Sequence, residues 1–251
     1  METLKESKMK TVYHPAGSRG HANHGWLDTY HSFSFANYQN RERMNFGVLR
    51  VLNDDTVQGG MGFGSHPHRD MEIVSIPLEG ALEHKDSTGT IGVIQKGEIQ
   101  VMTAGSGVMH SEYNHNKHQE MKFLQIWVFP RQTGLTPRGE QMRIADNAKK
   151  NDFQQIVSPD KNEEGLWINQ DAWFSLADFD KGNSKEYTIK KEGNGVYVFV
   201  IKGWAQIGEQ LLGQRDGLGI WNTKSFIVEA AEDAEILLID IPMQLPEYLF
   251  S

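Results

Sequence analysis

Residues 60–80, GMGFGSHPHRDMEIVSIPLEG, contain the features that decide the fold. A glycine-rich turn is followed by His66-Pro-His68, and the apolar run Ile73–Leu78 then stops at Gly80. Side chains at positions i and i+2 of a β-strand lie on one face, so a strand through this histidine pair presents two imidazoles together. A short apolar run with β-branched residues, ended by glycine, predicts a buried strand.

Three further apolar runs of the same kind occur along the chain, at Phe123–Phe129, Val196–Ile201 and Ile236–Ile241. No stripe of helical period and length surrounds them, so they also predict buried strands. The 251 residues include 38% apolar and 23% charged residues, with 25 glycines. This composition is typical of a folded globular chain with many turns. The sequence therefore predicts an all-β fold.

The two halves of the chain resemble each other. Ser75–Gly80 resembles Val198–Gly203, since each is a strand that stops at a glycine, and Phe123–Pro130 resembles Glu235–Pro242. Repeated units of this kind indicate two copies of one β-domain. The alternative is a single large sandwich in which the strand similarity is coincidental.

The connection between the copies is predicted at Arg131 to about Gly165, which is polar and rich in turn residues. We therefore expect an N-terminal domain over residues 1–135 and a C-terminal domain over residues 136–251.

Charge and cysteine content exclude several classes of function. The chain has 25 Lys and Arg against 33 Asp and Glu, a formal charge of −8, which argues against direct nucleic-acid contact. It has no cysteine, which excludes disulfides, thiolate nucleophiles and cysteine-based metal sites. We find neither a secretory signal nor an apolar run of the roughly 20 residues that span a bilayer, so we expect a cytoplasmic protein without membrane contact.

The ten histidines all lie between positions 14 and 118. If the two halves share a fold, only the first can hold a metal on imidazoles. His110-Ser-Glu112 repeats the spacing of the first histidine pair with an imidazole and a carboxylate. Two such pairs facing each other would form a four-ligand site for a divalent metal such as iron(II), nickel, copper, manganese or zinc.

The spacing around these residues resembles the two cupin signatures. Gly60, His66, His68 and Glu72 follow the first, and His110 reproduces, with Asn114, the ending of the second. Departures from the general pattern, including Thr103-Ala-Gly105, resemble the pirin branch of the cupins, as do residues 19–35, RGHANHGWLDTYHSFSF. The resemblance is strong over about residues 18–140 and extends to bacterial pirin-like quercetin 2,3-dioxygenases.

This resemblance implies a bicupin, in which two β-barrels lie face to face and only the N-terminal barrel binds a metal. The implied ligands are His66, His68, His110 and Glu112, and the implied cation is iron(II) first, with nickel, copper, manganese, cobalt or zinc as alternatives. Many other cupins take the carboxylate from the position of Glu72. Its even spacing from the histidine pair leaves it open as ligand or base, although the pirin pattern favours Glu112.

The activity implied is a metal-dependent dioxygenase that cleaves a flavonol such as quercetin with dioxygen, with Glu112 also accepting the proton of the substrate hydroxyl. The main alternative is a pirin-type regulatory protein that binds the metal without turnover and acts through protein partners. A cupin isomerase acting on a sugar phosphate would need a basic pocket, and no clear basic cluster indicates one.

The other histidines receive no catalytic role. His21, His24 and His31 are expected to form hydrogen bonds within the fold. His84, His115 and His118 are expected in solvent-facing loops. Phe46 and Phe63 are candidate walls of an aromatic pocket, with core packing favoured for both.

Overall fold

The computed structural model describes residues 8–144 and 150–250, and within them the chain is almost entirely β-structure. Along the first half the strands are β1 (Lys10–His14), β2 (Gly20–Asn23), β3 (Leu27–His31), β4 (Leu49–Val57), β5 (Gly62–His68), β6 (Glu72–Glu79), β7 (Ala81–Asp86), β8 (Ile91–Gln95), β9 (Glu98–Thr103), β10 (Val108–Asn114), β11 (Met121–Val128) and β12 (Arg138–Arg143). Along the second half they are β13 (Phe153–Ser158), β14 (Leu166–Trp167), β15 (Trp173–Phe179), β16 (Ser184–Thr188), β17 (Asn194–Lys202), β18 (Ala205–Ile207), β19 (Gln210–Leu212), β20 (Gly217–Trp221), β21 (Ser225–Ala230) and β22 (Ala234–Pro242). Short 3-10 turns occur at Ala16–Ser18, Arg41–Arg43 and Glu247–Leu249. Among the described residues, no helical segment has the length and apolar character needed to cross a lipid bilayer.

The strands form two large and two small sheets with matching orders. The seven-stranded sheets have the orders β12-β9-β6-β11-β4-β3-β2 and β1-β20-β17-β22-β15-β13-β14. The four-stranded sheets have the orders β5-β10-β7-β8 and β16-β21-β18-β19. One large and one small sheet make each barrel. The prediction of an all-β protein is confirmed.

The internal repeat predicted from the sequence corresponds to equivalent sheet positions. The apolar runs of β6 and β17 occupy the same place in the two large sheets, and so do those of β11 and β22. All four predicted buried strands are confirmed, with small differences at their ends.

Each large sheet receives a strand that lies across the predicted domain division. β12 follows residue 135 but pairs with β9, and β1 lies at the start of the chain but pairs with β20. These two strands occupy equivalent edges of the two sheets. Part of the predicted connection, residues 145–149, lies outside the described residues. The division at 135/136 stays a prediction.

The two large sheets pack against each other, which explains the continuous apolar runs. Leu124 and Ile126 of β11 share one core with Tyr197 of β17 and Leu237 of β22. The alternate residues of β17 and β22 fill the interior of the C-terminal barrel instead. Strands buried on both faces need apolar residues at every position, so period-2 alternation is lost.

The two barrels bury different side chains at equivalent positions of their large sheets. The C-terminal interior is lined by Val196, Val198 and Leu238 among other apolar residues. At the matching face of the N-terminal large sheet, Ser75 and Gln125 are buried. Buried polar side chains cost free energy unless they are hydrogen-bonded, and Gln125 meets this need by donating to Glu112 of the small sheet.

Candidate metal centre

Strands β5 and β10 of the small sheet place the two predicted ligand pairs side by side. His66 lies directly opposite His110 in the antiparallel register, and a bulge between His110 and Glu112 shifts the pairing, so that Glu112 lies opposite Phe63. A Cβ atom at Gly62 would lie 2.2 Å from the Glu112 carbonyl oxygen, so the close approach of the two backbones requires glycine there.

Three of the predicted ligands form one cluster. One ligand nitrogen from each of His66, His68 and His110 lies within 4.8 Å of the other two. The ring centroids are 4.8 Å apart for His66 and His68, 4.3 Å for His66 and His110, and 4.7 Å for His68 and His110. His66 and His68 share one face of β5, and the antiparallel register places His110 of β10 opposite His66. These two features bring the three imidazoles together.

The nitrogen atoms of this cluster fit a divalent cation. His66 Nε2 and His110 Nε2 are 2.9 Å apart, and two imidazole nitrogens at ~2.0–2.1 Å from one metal at a right angle would have about the same separation. His66 Nδ1 donates a hydrogen bond of 2.8 Å to the Gly64 carbonyl, which leaves Nε2 as the lone-pair donor. Among the described residues, His68 Nε2 is buried and has no hydrogen-bond partner. A buried polar atom without a partner is unusual, and a bound cation would satisfy this nitrogen.

The protonation state of the imidazoles also suits a metal. Burial lowers the pKa of His68 to about 4, with a further contribution from the neighbouring His66. Burial, together with the charges of His68, His66 and His84, lowers the pKa of His110 to about 2. Metal ligation requires the neutral imidazole, so neither His68 nor His110 has to lose a proton near neutral pH.

The carboxylate of Glu112 lies next to this cluster. Its side chain is 1% exposed, Gln125 Nε2 donates to Oε2 at 2.7 Å, and Ser75 Oγ donates weakly to Oε1 at 3.5 Å. Burial raises the pKa of Glu112, and the hydrogen bond from Gln125 opposes this rise. The ligand atoms of Glu112, His84 and His110 form a second cluster, in which they lie within 4.8 Å of one another. His66 and His68 belong only to the first cluster, and His110 belongs to both.

His84 was expected in a solvent-facing loop, and this prediction is wrong. His84 lies on β7 opposite Glu112, is 1% exposed, and directs Nε2 to Asp86 Oδ2 at 3.1 Å. Its Nδ1 is buried without a partner among the described residues. The spacing His84-Lys85-Asp86 is the same i, i+2 signal that identified the first histidine pair, and it could have placed this residue on the barrel interior.

Glu72 lies outside both clusters, and its side chain occupies the other face of the large sheet. It shares that face with Val74 and Ile76, which pack between the barrels. Thr103 Oγ1 donates to its Oε2 at 3.1 Å, and the Asn169 backbone N–H donates to the same oxygen at 3.1 Å. The even spacing from His68 was misleading because β5 ends before Asp70, where φ is 48°.

The remaining histidines follow the predictions more closely. His21 bonds Asp28 at 2.6 Å, and buried His31 bonds Asn53 at 2.8 Å. His115 and His118 are exposed. Hydrogen bonding within the fold is therefore confirmed for His21 and His31.

A cavity of about 560 Å³ lies beside the cluster. Phe63 and Gln125 both line it, and the same residues contact the site, since the Phe63 ring lies 6.5 Å from the His66 ring and Gln125 bonds Glu112. Phe46, in contrast, is buried between the barrels and packs on Tyr197. Of the two phenylalanines considered from the sequence, Phe63 lines this cavity and Phe46 does not.

Comparison with known proteins identifies the family. The family model for pirin matches residues 12–128, and the model for the quercetinase C-terminal cupin domain matches residues 155–241. Quercetin 2,3-dioxygenase of Escherichia coli is 42% identical over 227 residues, which cover 90% of this chain and 96% of that protein. The chain belongs to the pirin family of the cupins. A pirin-like protein of Caulobacter vibrioides is 36% identical over 90% of this chain and 97% of its own length.

Pirins of known structure share the architecture. The crystal structure of the bacterial pirin YhhW from Escherichia coli in complex with nickel(II) has a TM-score of 0.88 and 40% identity, and covers 93% of this chain and 99% of that chain. The predicted pirin-type bicupin and the similarity to quercetin 2,3-dioxygenases are confirmed. The cluster of imidazoles and a carboxylate lies in the N-terminal pirin domain and could hold a divalent metal.

Proposed function

We propose that this pirin is a metal-dependent dioxygenase that cleaves a flavonol such as quercetin with dioxygen. The observation that carries the proposal is the convergence of three imidazoles from β5 and β10 within 4.8 Å, beside a cavity of small-molecule size. The name of the Escherichia coli relative supports the substrate class.

His66, His68 and His110 would hold the cation in this proposal, with Glu112 as the fourth ligand. We propose iron(II) as the cation. Nickel is the first alternative, because a bacterial pirin has been crystallised with nickel(II). The cation would supply positive charge that lowers the pKa of a substrate hydroxyl.

Glu112 would accept the hydroxyl proton. Burial raises its pKa, so the carboxylate is a stronger proton acceptor than one in water. Gln125 holds Oε2, which orients the group and leaves Oε1 with only the weak contact from Ser75. The large sheet excludes bulk water behind the carboxylate.

The test follows substrate and oxygen together. The protein is purified without air, loaded with iron(II) and mixed with quercetin, and oxygenated buffer is then added. We expect bleaching of the flavonol with matching oxygen uptake, both absent in His66→Ala. Glu112→Gln should keep part of the metal but lose turnover.

Spectral change without oxygen uptake, for every divalent metal tried, would contradict the dioxygenase and favour a regulatory pirin that binds the metal and acts through protein partners. Full turnover in a folded Glu112→Gln variant would show that Glu112 is not the group that accepts the hydroxyl proton. A cytoplasmic location, a metal-free C-terminal barrel and the absence of direct nucleic-acid and membrane contact stay predictions.

A further inference from the structure

We propose that the second cluster, His84, His110 and Glu112, is a second binding site for a divalent cation. We call it the inner site, and we call the first cluster, His66, His68 and His110, the outer site. One cation alternates between the two. The inference concerns the side chains that hold the cation and does not depend on the proposed reaction.

The inner site has the ligand types and the spacing that a divalent metal needs. One nitrogen of His84, one nitrogen of His110 and one carboxylate oxygen of Glu112 all lie within 4.8 Å of one another. The two imidazole ring centroids are 5.2 Å apart, and each of the three residues is 1% exposed. Ligand atoms at ~2.0–2.2 Å from one zinc ion lie up to about 4 Å apart, so small side-chain rotations would complete the site.

His84 is oriented as metal-bound histidines usually are. Its Nε2 lies 3.1 Å from Asp86 Oδ2, and a carboxylate only accepts hydrogen bonds, so Nε2 carries the ring proton. Asp86 is itself fixed, because its Oδ1 accepts from the backbone N–H groups of Thr88 and Thr90. The lone pair of His84 is therefore on Nδ1, which is buried without a hydrogen-bond partner among the described residues. A carboxylate that fixes the tautomer in this way stands behind most metal-bound imidazoles.

His110 contributes a second free nitrogen. His66 Nδ1 donates to the Gly64 carbonyl, so His66 Nε2 has a lone pair and the Nε2–H of His110 donates to it at 2.9 Å. A neutral imidazole has one donor and one acceptor nitrogen, so the lone pair of His110 is on Nδ1. This atom is also buried without a hydrogen-bond partner in the part of the chain that the structure describes. Unpaired buried polar atoms are unusual, and one cation would satisfy both nitrogens.

Glu112 supplies the negative charge of the inner site. Gln125 Nε2 donates to Oε2 at 2.7 Å, whereas Oε1 has only the 3.5 Å contact with Ser75 Oγ. Oε1 can therefore bind a cation while the stronger hydrogen bond stays intact. Two imidazoles and one carboxylate form a ligand set that suits zinc, nickel or cobalt.

The two sites share His110, so they hold one cation between them. The outer site needs the lone pair on His110 Nε2 and the inner site needs it on Nδ1, and a neutral imidazole has only one. Movement of the cation therefore exchanges the tautomer of His110 without changing the number of bound protons. His66 and His68 are half-buried, whereas the inner ligands are buried, so the inner site encloses the cation more fully.

The test uses cobalt(II) alone as the probe and the full chain freed of metal by a chelator. The double variant His66→Ala/His68→Ala lacks the outer site, and we expect it to bind one cobalt per chain, measured by calorimetry and by visible absorption. Addition of His84→Ala should weaken this binding at least 100-fold. Addition of Asp86→Asn should weaken it about 10- to 100-fold, because the tautomer of His84 is no longer fixed. Addition of His115→Ala, at an exposed histidine, should change it less than twofold.

A second measurement uses the wild-type chain and needs no variant to fold. Crystals grown with nickel(II) are measured at the nickel absorption edge, where anomalous scattering locates the cation. We expect one peak at the outer site and one at the inner site, with occupancies that add up to about one. Circular dichroism and the unfolding midpoint verify that the variants of the first measurement fold.

The outcomes separate the inner site from the proposed activity. A folded His66→Ala/His68→Ala variant that binds no cobalt, binding that does not depend on His84, or a single nickel peak at the outer site would overturn the inner site. Two fully occupied peaks would overturn the alternation. Cobalt binding that depends on His84 supports the inner site even if the loaded protein consumes no oxygen, in which case the dioxygenase proposal fails alone.

Discussion

Gln125 Nε2 donates a hydrogen bond of 2.7 Å to Glu112 Oε2, and this contact joins the two sheets of the N-terminal barrel. Gln125 lies on β11 of the large sheet, and Glu112 lies on β10 of the small sheet. Both side chains are buried, so the pair fixes a carboxylate that neither strand orients alone. The hydrogen-bonding groups around a ligand set its direction and basicity as much as the ligand's own strand does.

Removal of this donor should weaken metal binding. In Gln125→Leu the carboxylate loses its strongest donor, and we expect the affinity for nickel(II), measured by calorimetry, to fall about 10- to 100-fold. Ser75→Ala is the matched control, because its hydroxyl contacts the other oxygen at 3.5 Å. Ser75→Ala should lower the affinity for nickel(II) less than threefold. Equal affinities in wild type and Gln125→Leu would show that Glu112 does not depend on this bond.

The two buried glutamates should respond differently to the same substitution. Glu112→Gln should lower nickel affinity at least tenfold, since an amide is a weaker ligand than a carboxylate. Glu72→Gln should leave it within about twofold, because Glu72 is held by Thr103 and Asn169 on the opposite face of the sheet. A large loss of nickel affinity in a folded Glu72→Gln variant would indicate that Glu72 is the carboxylate ligand, as in many other cupins.

His84 should support the centre although the sequence interpretation gave it no role. It faces Glu112 and lies near His110, so His84→Ala would open a gap beside both groups. We expect about a tenfold loss of nickel affinity, and a smaller loss in Asp86→Asn, which weakens the contact to His84 Nε2. His115→Ala alters an exposed histidine that pairs with Glu83 and should have no effect. If all three variants bind nickel with the same affinity, His84 contributes only to packing and does not support the metal centre.

Asp55 should make stability depend on pH. Burial raises its pKa to about 7 from a usual value of 3.8, with smaller contributions from Asp54 and Glu112. The folded state therefore binds more protons than the unfolded state between these values, so this carboxyl lowers the free energy of unfolding as pH rises from about 4 to about 7. At ~1.36 kcal/mol per pKa unit, the loss is about 4 kcal/mol at most.

Asp55→Asn removes this titration while its amide oxygen can still accept the Thr29 hydroxyl. Urea unfolding of the metal-free protein at pH 5 and pH 8 should therefore show a gain in stability, relative to wild type, that is larger at pH 8. Asp28→Asn changes a half-buried carboxyl that bonds His21 and serves as control. A difference between Asp55→Asn and wild type that does not change with pH would contradict the raised pKa.

Local patterns predicted much of the fold because strand geometry is local. The runs at Ile73–Leu78 and Val196–Ile201 are apolar at almost every position, and a strand buried on both faces has no other option. Likewise, the i, i+2 spacing of His66 and His68 was sufficient to place both imidazoles on one face.

The same rule failed where the chain turns. Counting alternate residues from His68 to Glu72 crosses Asp70, whose positive φ ends one strand before the next begins in another sheet. For this reason Glu72 faces the contact between the barrels rather than the candidate site. The sequence also did not predict that β1 pairs with β20 of the C-terminal sheet and β12 with β9 of the N-terminal sheet. The pairing of an edge strand depends on which backbone groups remain free after the rest of the sheet has formed.

The sequence by itself determined which residue types are present, the faces of individual strands, and the confinement of every histidine to the first half of the chain. Only the tertiary structure decided which carboxylate reaches the imidazoles, that buried His84 joins them, and that a cavity opens beside Gln125. Strand periodicity is set by backbone geometry within a few residues, whereas these contacts join strands far apart in the chain and depend on how two sheets close into a barrel.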